Sequence, residues 1–397
     1  MKLKIANIIY DLDNGGAAIA LGRLNKIFEK NFESKIIRYR KDELFFTFIN
    51  FLKITINKII KKFLLIIFNL KYENTTNFNL FSSYLLDDIN KSNFNLINLH
   101  WIGNDTLSLN DIGKINKKVI ITLHDMWPYT AIEHYIDTKE YLKKYTHNSK
   151  NNKNLFINKI FNKKIESFKN ISNVICTSKW QKKMAEKSLV LKHAKKILIP
   201  LPLNFDYWKP IDKKKAKKEL NIYDDYYSIF LPLSNIYAGK RKGVDLLISA
   251  LNKINNIKII LITTNYKNIY FKNKNIIHVN LLTSNSSKDL IKIYSATDLF
   301  LMPSRYESFG QTLLEAQACN CPAVVFKNTG CEDLVLNKIN GYKAKYLNID
   351  DLIKGINWCY RKFYKKKNNH IRNIAIKKFS NQVVLKKYKN FFNDLSN

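Results

Sequence analysis

The chain has 397 residues, of which 46% are hydrophobic, and a formal net charge of +35. That length exceeds one small core and suits two ordinary domains, and the charge points to phosphate-rich partners: nucleic acid, an anionic membrane, a nucleotide or a lipid-linked diphosphate. Lys, Asn and Ile are used heavily throughout, so a compositional drift of the genome accounts for part of the excess. Cys176, Cys319, Cys321, Cys331 and Cys359 are odd in number and show no repeated C-x-x-C. That argues against a disulfide framework and for a reducing cytoplasm, and one intervening residue is poor spacing for zinc on Cys319 and Cys321.

In chain order the pattern alternates strand and helix, as parallel α/β sheets do. The N-terminus runs straight into a strand, Lys4–Tyr10, with no signal-peptide pattern. Further strands are expected at Ser34–Arg40, Leu96–His100, Lys118–Leu123 and Asn173–Thr177. Between the second and third lies an amphipathic helix, residues 44–68. Phe45, Phe48, Ile49, Leu52, Ile56, Ile59, Ile60, Phe63 and Ile67 recur on one side, with Lys53, Asn57, Lys58, Lys61 and Lys62 mainly on the other. Such a helix either lies on an anionic membrane surface or packs its stripe on the first sheet; the additional apolar residues Phe51, Ile54, Leu65, Ile66 and Phe68 favour the membrane. No run of about 18 uncharged apolar residues points to a spanning helix.

Residues 148–164 are polar, basic and Asn-rich, and read as a loop passing into a helix. Ile199-Pro200-Leu201-Pro202 is stiff and suits a linker. A second alternation follows, with strands at Tyr227–Pro232, Ile257–Thr263, Leu299–Met302 and Pro322–Phe326 and a helix over Lys242–Ile254. The expected architecture is two Rossmann-like α/β domains, residues 1–203 and 204–379. A final helix, Gln382–Leu395 within 380–397, is expected to pack back on the first domain.

Several short segments carry chemistry. Gly15-Gly16 follows the first strand, where missing side chains let backbone approach a ligand; a tight turn is the plain alternative. His124 sits at the carboxyl end of a strand, where open α/β sheets hold ligands, and its imidazole can bond a sugar hydroxyl or simply the backbone; Asp125 and Trp127 adjoin it on the same, acceptor side. Gly239 to Asp245, with Lys240, Arg241 and Lys242, is a basic turn. Pro303 to Ala316 leads from a strand into a helix N-terminus, a ready anion site in which the N–H groups of Ser308, Phe309, Gly310, Gln311 and Thr312 can face a diphosphate. Glu307 in its loop and Glu315 in its helix offer carboxylates, the latter placed for ribose hydroxyls.

Glu307 and Glu315 within "RYESFGQTLLEAQACNCPAVVF" resemble the paired-glutamate donor signature of the retaining glycosyltransferases of GT-B fold, glycosyltransferase family 4. "INLHW" at 97–101 and "ITLHDMWPYT" at 121–130 look like a subgroup that builds bacterial surface polysaccharides. "CTSKWQ" at 176–181 and "IPLP" at 199–202 look like that fold's domain-crossing region. The resemblance spans nearly the whole chain. It implies two domains facing each other across a cleft, closing over a nucleotide-sugar donor. Glu315 would bind ribose and Glu307 the sugar and diphosphate. Lys242 would bind the diphosphate, Gly15 and Gly16 would lie under the acceptor and donor phosphate, and His124 would contact the sugar. The family's usual arginine falls at Ile236, leaving Arg241 as a substitute, and Asn320-Cys321 stands where many relatives have Gly-Thr. Asp11-Leu12-Asp13 resembles the metal-binding D-x-D of the other glycosyltransferase fold but lies at a first strand end, so neither metal nor cofactor is expected.

The implied activity is retaining transfer from a nucleotide-sugar to a saccharide or lipid-linked acceptor, at the inner face of the cell membrane. An NAD-dependent oxidoreductase would need G-x-G-x-x-G after a strand, which is missing. A basic nucleic-acid-binding protein would need a clustered basic face with exposed aromatics, whereas lysine is spread over both halves.

Overall fold

The computed structural model describes residues 3–13, 15–39, 44–68, 76–146, 154–233, 239–266, 269–281, 286–366 and 370–396; for 44–54, 58 and 396 only the backbone is described. Two compact units divide the chain, Met1–Pro200 with Leu385–Asn397, and Leu201–Val384.

The first unit holds a parallel six-stranded sheet: β1 (Lys4–Ile9), β2 (Glu33–Arg38), β3 (Leu96–Leu99), β4 (Lys118–Thr122), β5 (Ile171–Cys176) and β6 (Lys195–Leu198), in the order β2-β1-β3-β4-β5-β6. The central strands read as short Ile/Val/Leu runs because both their faces are covered, and β3 is buried at every residue. Helices α1 (Gly16–Phe28), α2 (Leu44–Ile67), α3 (Leu85–Lys91), α4 (Leu109–Gly113), α5 (Thr138–Lys144), α6 (Leu155–Ser167) and α7 (Lys179–Lys187) connect them. Asn154 starts α6 by accepting the N–H groups of Phe156 and Ile157 on its side chain.

The second unit repeats the plan. Helix α8 (Lys213–Glu219) precedes β7 (Tyr227–Phe230), α9 (Val244–Leu251), β8 (Ile259–Thr264), β9 (Ile276–Leu281), α10 (Ser287–Ala296), β10 (Leu299–Met302), α11 (Gln311–Ala318), β11 (Ala323–Phe326), β12 (Gly341–Ala344), α12 (Ile349–Phe363) and α13 (His370–Phe379). All its strands are parallel, in the order β12-β11-β10-β7-β8-β9. In each sheet the order reverses once beside the first strand, between β1 and β3 and between β7 and β10. Ligands of doubly wound sheets collect beyond the carboxyl ends of the strands that flank such a reversal.

The structure revises several element boundaries. Strands β6, β9 and β12 were not anticipated. The helix expected from Lys242 begins only at Val244, because Gly243 takes the left-handed φ of 73°, and it stops at Leu251. Lys242 is therefore a loop residue. The five cysteines are all buried and unpaired.

Helix α2 is present, and of the two expected placements its stripe does not pack wholly on the first sheet. Asn57 faces inward and donates to Asp105 Oδ2 at 3.3 Å, Lys61 donates to the Thr76 carbonyl, and Leu64 and Leu65 pack on the core. Ile56, Ile59, Phe63, Ile66 and Ile67 are all more than half exposed. Polar groups thus hold the helix to the unit, and much of the apolar stripe faces away from it. Among the described residues no helix is long and apolar enough to cross a membrane.

The last helix, α14 (Asn381–Ser396), closes the first unit. Tyr388 and Phe392 sit edge-on to Phe28 at 4.8 and 5.7 Å between ring centroids, and Phe32 meets Phe392 at 5.1 Å. These rings are the main apolar link between α14 and α1. Phe392→Ala should therefore destabilise the first unit by about 3–5 kcal/mol, the usual loss for a buried phenylalanine. Urea unfolding would measure it, and a change under about 1 kcal/mol would mean the helix is not part of the core.

Candidate functional site

In the second unit, two loops meet where the strand order reverses. One runs from β7 to α9 and carries Arg241 and Lys242; the other runs from β10 to α11 and carries Glu307 and Ser308. Their closeness is enforced by backbone. A β-carbon on Gly243 would lie 2.0 Å from the Pro303 carbonyl oxygen, and one on Gly330 would lie 2.0 Å from that of Ser308. The Arg305 N–H donates to the Arg241 carbonyl at 2.8 Å. The Arg305 guanidinium forks onto both carboxylate oxygens of Asp245, at 2.8 and 2.6 Å, and reaches the Lys240 carbonyl at 2.7 Å.

This clamp brings three charges together. Lys242 Nζ donates to Glu307 Oε2 at 2.7 Å, and Arg241 stands 3.7 Å from the same oxygen. Burial works against ionisation of Glu307, but Lys242, Arg241 and the Ser308 N–H outweigh it and hold the carboxyl below the ordinary range. Burial pulls the Lys242 ammonium down, and Glu307 offsets part of that. Helix α11 starts beside them at Gly310, whose φ is 98°. Gln311 and Thr312 are half-buried at its first turn. Phe309 is buried against Phe379. Glu315 is buried, and its Oε2 accepts the Tyr294 hydroxyl at 3.0 Å.

In the first unit, the carboxyl ends of β1, β3 and β4 lie side by side. Gly15 takes a φ of 95° at the start of α1, and Gly16 begins the helix. Asp11 accepts the Asp13 N–H at 2.9 Å and so braces its own loop. After β4, Nε2 of His124 lies 2.9 Å from Nδ1 of His100, which follows β3. Next to it, Asp125 Oδ2 accepts from Trp101 Nε1 at 2.9 Å and from His134 Nδ1 at 2.5 Å, and Asp125 Oδ1 accepts the Trp127 N–H at 2.9 Å. Trp127 is a core residue, and this corrects its expected place on an acceptor surface. Its indole N–H is spent on the Asn77 carbonyl, and the buried Lys164 ammonium lies 3.6 Å above the ring. Any effect of Trp127 on a ligand runs through the Asp125 loop.

Residues 212–378 match the model of the family described as glycosyl transferases group 1. An uncharacterised glycosyltransferase of Methanocaldococcus jannaschii is 32% identical over 115 residues, 28% of this chain and 33% of that one. The first curated relatives are matched over about a third to two fifths of their own length. Sucrose-phosphate synthase from Thermosynechococcus elongatus is similar in structure, with a TM-score of 0.66 at 14% identity over 99% of both chains. Anabaena HepE, solved in complex with UDP and glucose, superposes with a TM-score of 0.63 at 17% identity, over 98% of this chain and 99% of its own. The fold is that of the GT-B glycosyltransferases.

Of the residues singled out in the sequence, the structure brings Arg241, Lys242, Glu307, Ser308, Gly310, Gln311, Thr312 and Glu315 to one end of the second unit's sheet. Gly15, Gly16, His124 and Asp125 lie at the corresponding end of the first. Ile236 lies outside the described residues. Sequence reasoning missed His100, Trp101, His134, Tyr294 and Arg305 as supports. His100 and Trp101 stand in the quoted "INLHW" and Arg305 opens the quoted "RYESFG" run, so a signal for them was present; His134 and Tyr294 are recognisable only from their contacts. Among the described residues no group of three or more His, Cys, Asp or Glu side chains is placed to hold a metal ion.

The histidines give a pH dependence. Burial pushes His124 down to about 4, with Asp125 pulling the other way, and burial together with His124 pushes His100 well below the ordinary range. Both are neutral in the fold at pH 7, while the unfolded chain takes up protons below about pH 6.5. Stability contributed here is present above that pH and is lost as the pH falls toward 4. The urea midpoint should drop between pH 7 and pH 5, and drop less in His100→Gln. An equal drop in both proteins would assign the acid sensitivity elsewhere.

Proposed function

We propose that the protein is a retaining glycosyltransferase, moving a sugar from a nucleotide-diphosphate donor to a saccharide or lipid-linked saccharide in the assembly of bacterial surface polysaccharide. The observation that carries this reading is the Arg241–Lys242–Glu307 cluster at the strand reversal of the second sheet, with Glu315 in the adjoining helix α11. Two cations against one carboxylate leave a surplus positive charge where a diphosphate would sit. In the reaction, the bond between the anomeric carbon and the diphosphate oxygen breaks. The acceptor oxygen bonds that carbon on the same face, and its proton passes to the leaving diphosphate. No protein nucleophile or metal is required. Lys242 and Arg241 stabilise the departing charge, and the segment Ser308 to Thr312 leading into α11 offers N–H groups. In the first unit, Gly15 and Gly16 let backbone approach a ligand. Glu315 takes the ribose, Glu307 the sugar end, and His124 with Asp125 the sugar and acceptor side.

The two glutamates separate this reading from a non-catalytic phosphate binder. Glu315→Ala should weaken nucleoside diphosphate binding ten- to a hundredfold, since charged hydrogen bonds are worth roughly 1.5–3 kcal/mol. Glu307→Ala should leave that affinity nearly intact and lower turnover of the nucleotide-sugar. Calorimetry with UDP, GDP and ADP beside a turnover assay measures both. Parent-like nucleotide binding by both variants would refute the assignment of this motif.

We further propose that α2 holds the protein on the anionic inner leaflet, and this rests on its outward apolar face. Between residues 44 and 72 the chain carries five lysines and no acidic residue, a charge that complements acidic lipid headgroups. Sedimentation with vesicles should show binding that rises with the fraction of anionic lipid and falls in a Phe63→Asp, Ile66→Asp double variant. Equal recovery in the soluble fraction at every composition would exclude membrane contact.

A further inference from the structure

A buried line of hydrogen bonds crosses the first sheet and ends at His124. It starts at Thr122 of β4, against the buried Tyr388 of α14. Thr122 Oγ1 donates to Asn98 Oδ1 at 2.9 Å. The Asn98 amide nitrogen lies 3.1 Å from Asn7 Oδ1 and 2.9 Å from His100 Nε2. His100 Nδ1 lies 2.9 Å from His124 Nε2. Tyr388, Thr122, Asn98, Asn7 and His100 are all buried. Buried away from bulk solvent, each group must find its partner in its neighbour.

The direction of the chain follows from what each group can do. Thr122 has a single hydroxyl proton, and it goes to Asn98 Oδ1. That fixes the Asn98 amide with its two N–H groups toward Asn7 Oδ1 and His100 Nε2. Asn7 Oδ1 meets them as the acceptor, and its own amide nitrogen donates to Ser34 Oγ at 3.0 Å. His100 Nε2 must then accept, which leaves its proton on Nδ1, facing His124 Nε2. The competing arrangement has His100 Nε2 donating to Asn7 Oδ1 at 3.2 Å. It would set two N–H groups against each other across the 2.9 Å between Asn98 and His100.

We propose that Asn98 and His100 are positioning residues that hold His124 as its Nδ1–H tautomer, so that the half-buried imidazole presents a hydrogen-bond donor to an oxygen of the bound sugar. Nδ1 of His124 has no partner among the described residues. The ligand group it meets must accept, as a hydroxyl oxygen does. The sugar as ligand rests on the functional reading above; the tautomer does not. His134 repeats the device nearby. Asn77 Oδ1 takes the Asn104 N–H at 3.0 Å, its amide nitrogen faces His134 Nε2 at 2.7 Å, and the proton left on Nδ1 goes to Asp125.

Nitrogen-15 NMR of the histidine rings tests this directly, since the chain has only seven histidines to assign. In the intact protein at pH 7, His124 should show the neutral pattern with the proton on Nδ1. Asn98→Asp replaces the donor with a group that only accepts, so it should invert the chain and move the His124 proton to Nε2. It should also lower kcat/KM for the nucleotide-sugar about tenfold, the value of one hydrogen bond, while nucleoside diphosphate affinity in calorimetry stays at the parent value. An Nε2–H signal for His124 in the parent overturns the proposal without any variant, and so does an unchanged tautomer in a folded Asn98→Asp protein. If instead the tautomer is as expected and His124→Ala turns over normally, the positioning chain stands and the sugar contact falls.

Discussion

The second unit's site depends on two backbone crossings that leave no room for a side chain. At Gly243 and Gly330 the chain passes so close to the Pro303 and Ser308 carbonyls that a β-carbon would overlap them. These contacts set loops from different strands against each other and thereby put Lys242 within 2.7 Å of Glu307. The cations are held by covalent geometry first and by charge second. A flexible lysine on a free loop would lose more entropy in reaching the same position.

Much of the fold was legible because the central strands of a parallel sheet are short apolar runs separated by helical patterns. Leu299–Met302 appears in the structure with the bounds read from sequence. The strands that escaped, β6, β9 and β12, are all sheet edges. An edge strand is covered less completely and keeps polar residues: Lys195 and Lys196 in β6, Lys343 in β12, His278 and Asn280 in β9. Their apolar signal is diluted by the position that defines them. The start of α9 was misplaced for a different reason, since helix propensity runs smoothly through Lys242 and only the left-handed turn at Gly243 interrupts it.

For the candidate site, residue types adjacent in sequence were readable and partners distant in sequence were not. Glu307 and Glu315 lie in one strand–loop–helix stretch, which announces itself. Arg305 meets Asp245 across 60 residues, and His100 meets His124 across 24. Nothing local marks them as partners. Trp127 shows the converse error: it sits next to a candidate residue, yet the turn after β4 folds it inward over Lys164. The orientation of α2 was equally hidden, because helical periodicity gives a stripe but not the side that receives it. Asn57 and Lys61 decide that through their bonds to Asp105 and the Thr76 carbonyl.

The five buried thiols have a practical consequence. Burial raises the proton affinity of every one of them, to about 12 for Cys176 and Cys319, and the same direction holds for Cys321, Cys331 and Cys359. Alkylating and oxidising reagents attack the thiolate, and a folded chain offers them almost none. The native protein is thus chemically silent toward maleimides, and a cysteine introduced on any exposed face becomes a single reporter without removal of the natural five. Conversely, the rate at which the natural thiols react counts the openings of both units, since Cys176 lies in the first and the other four in the second.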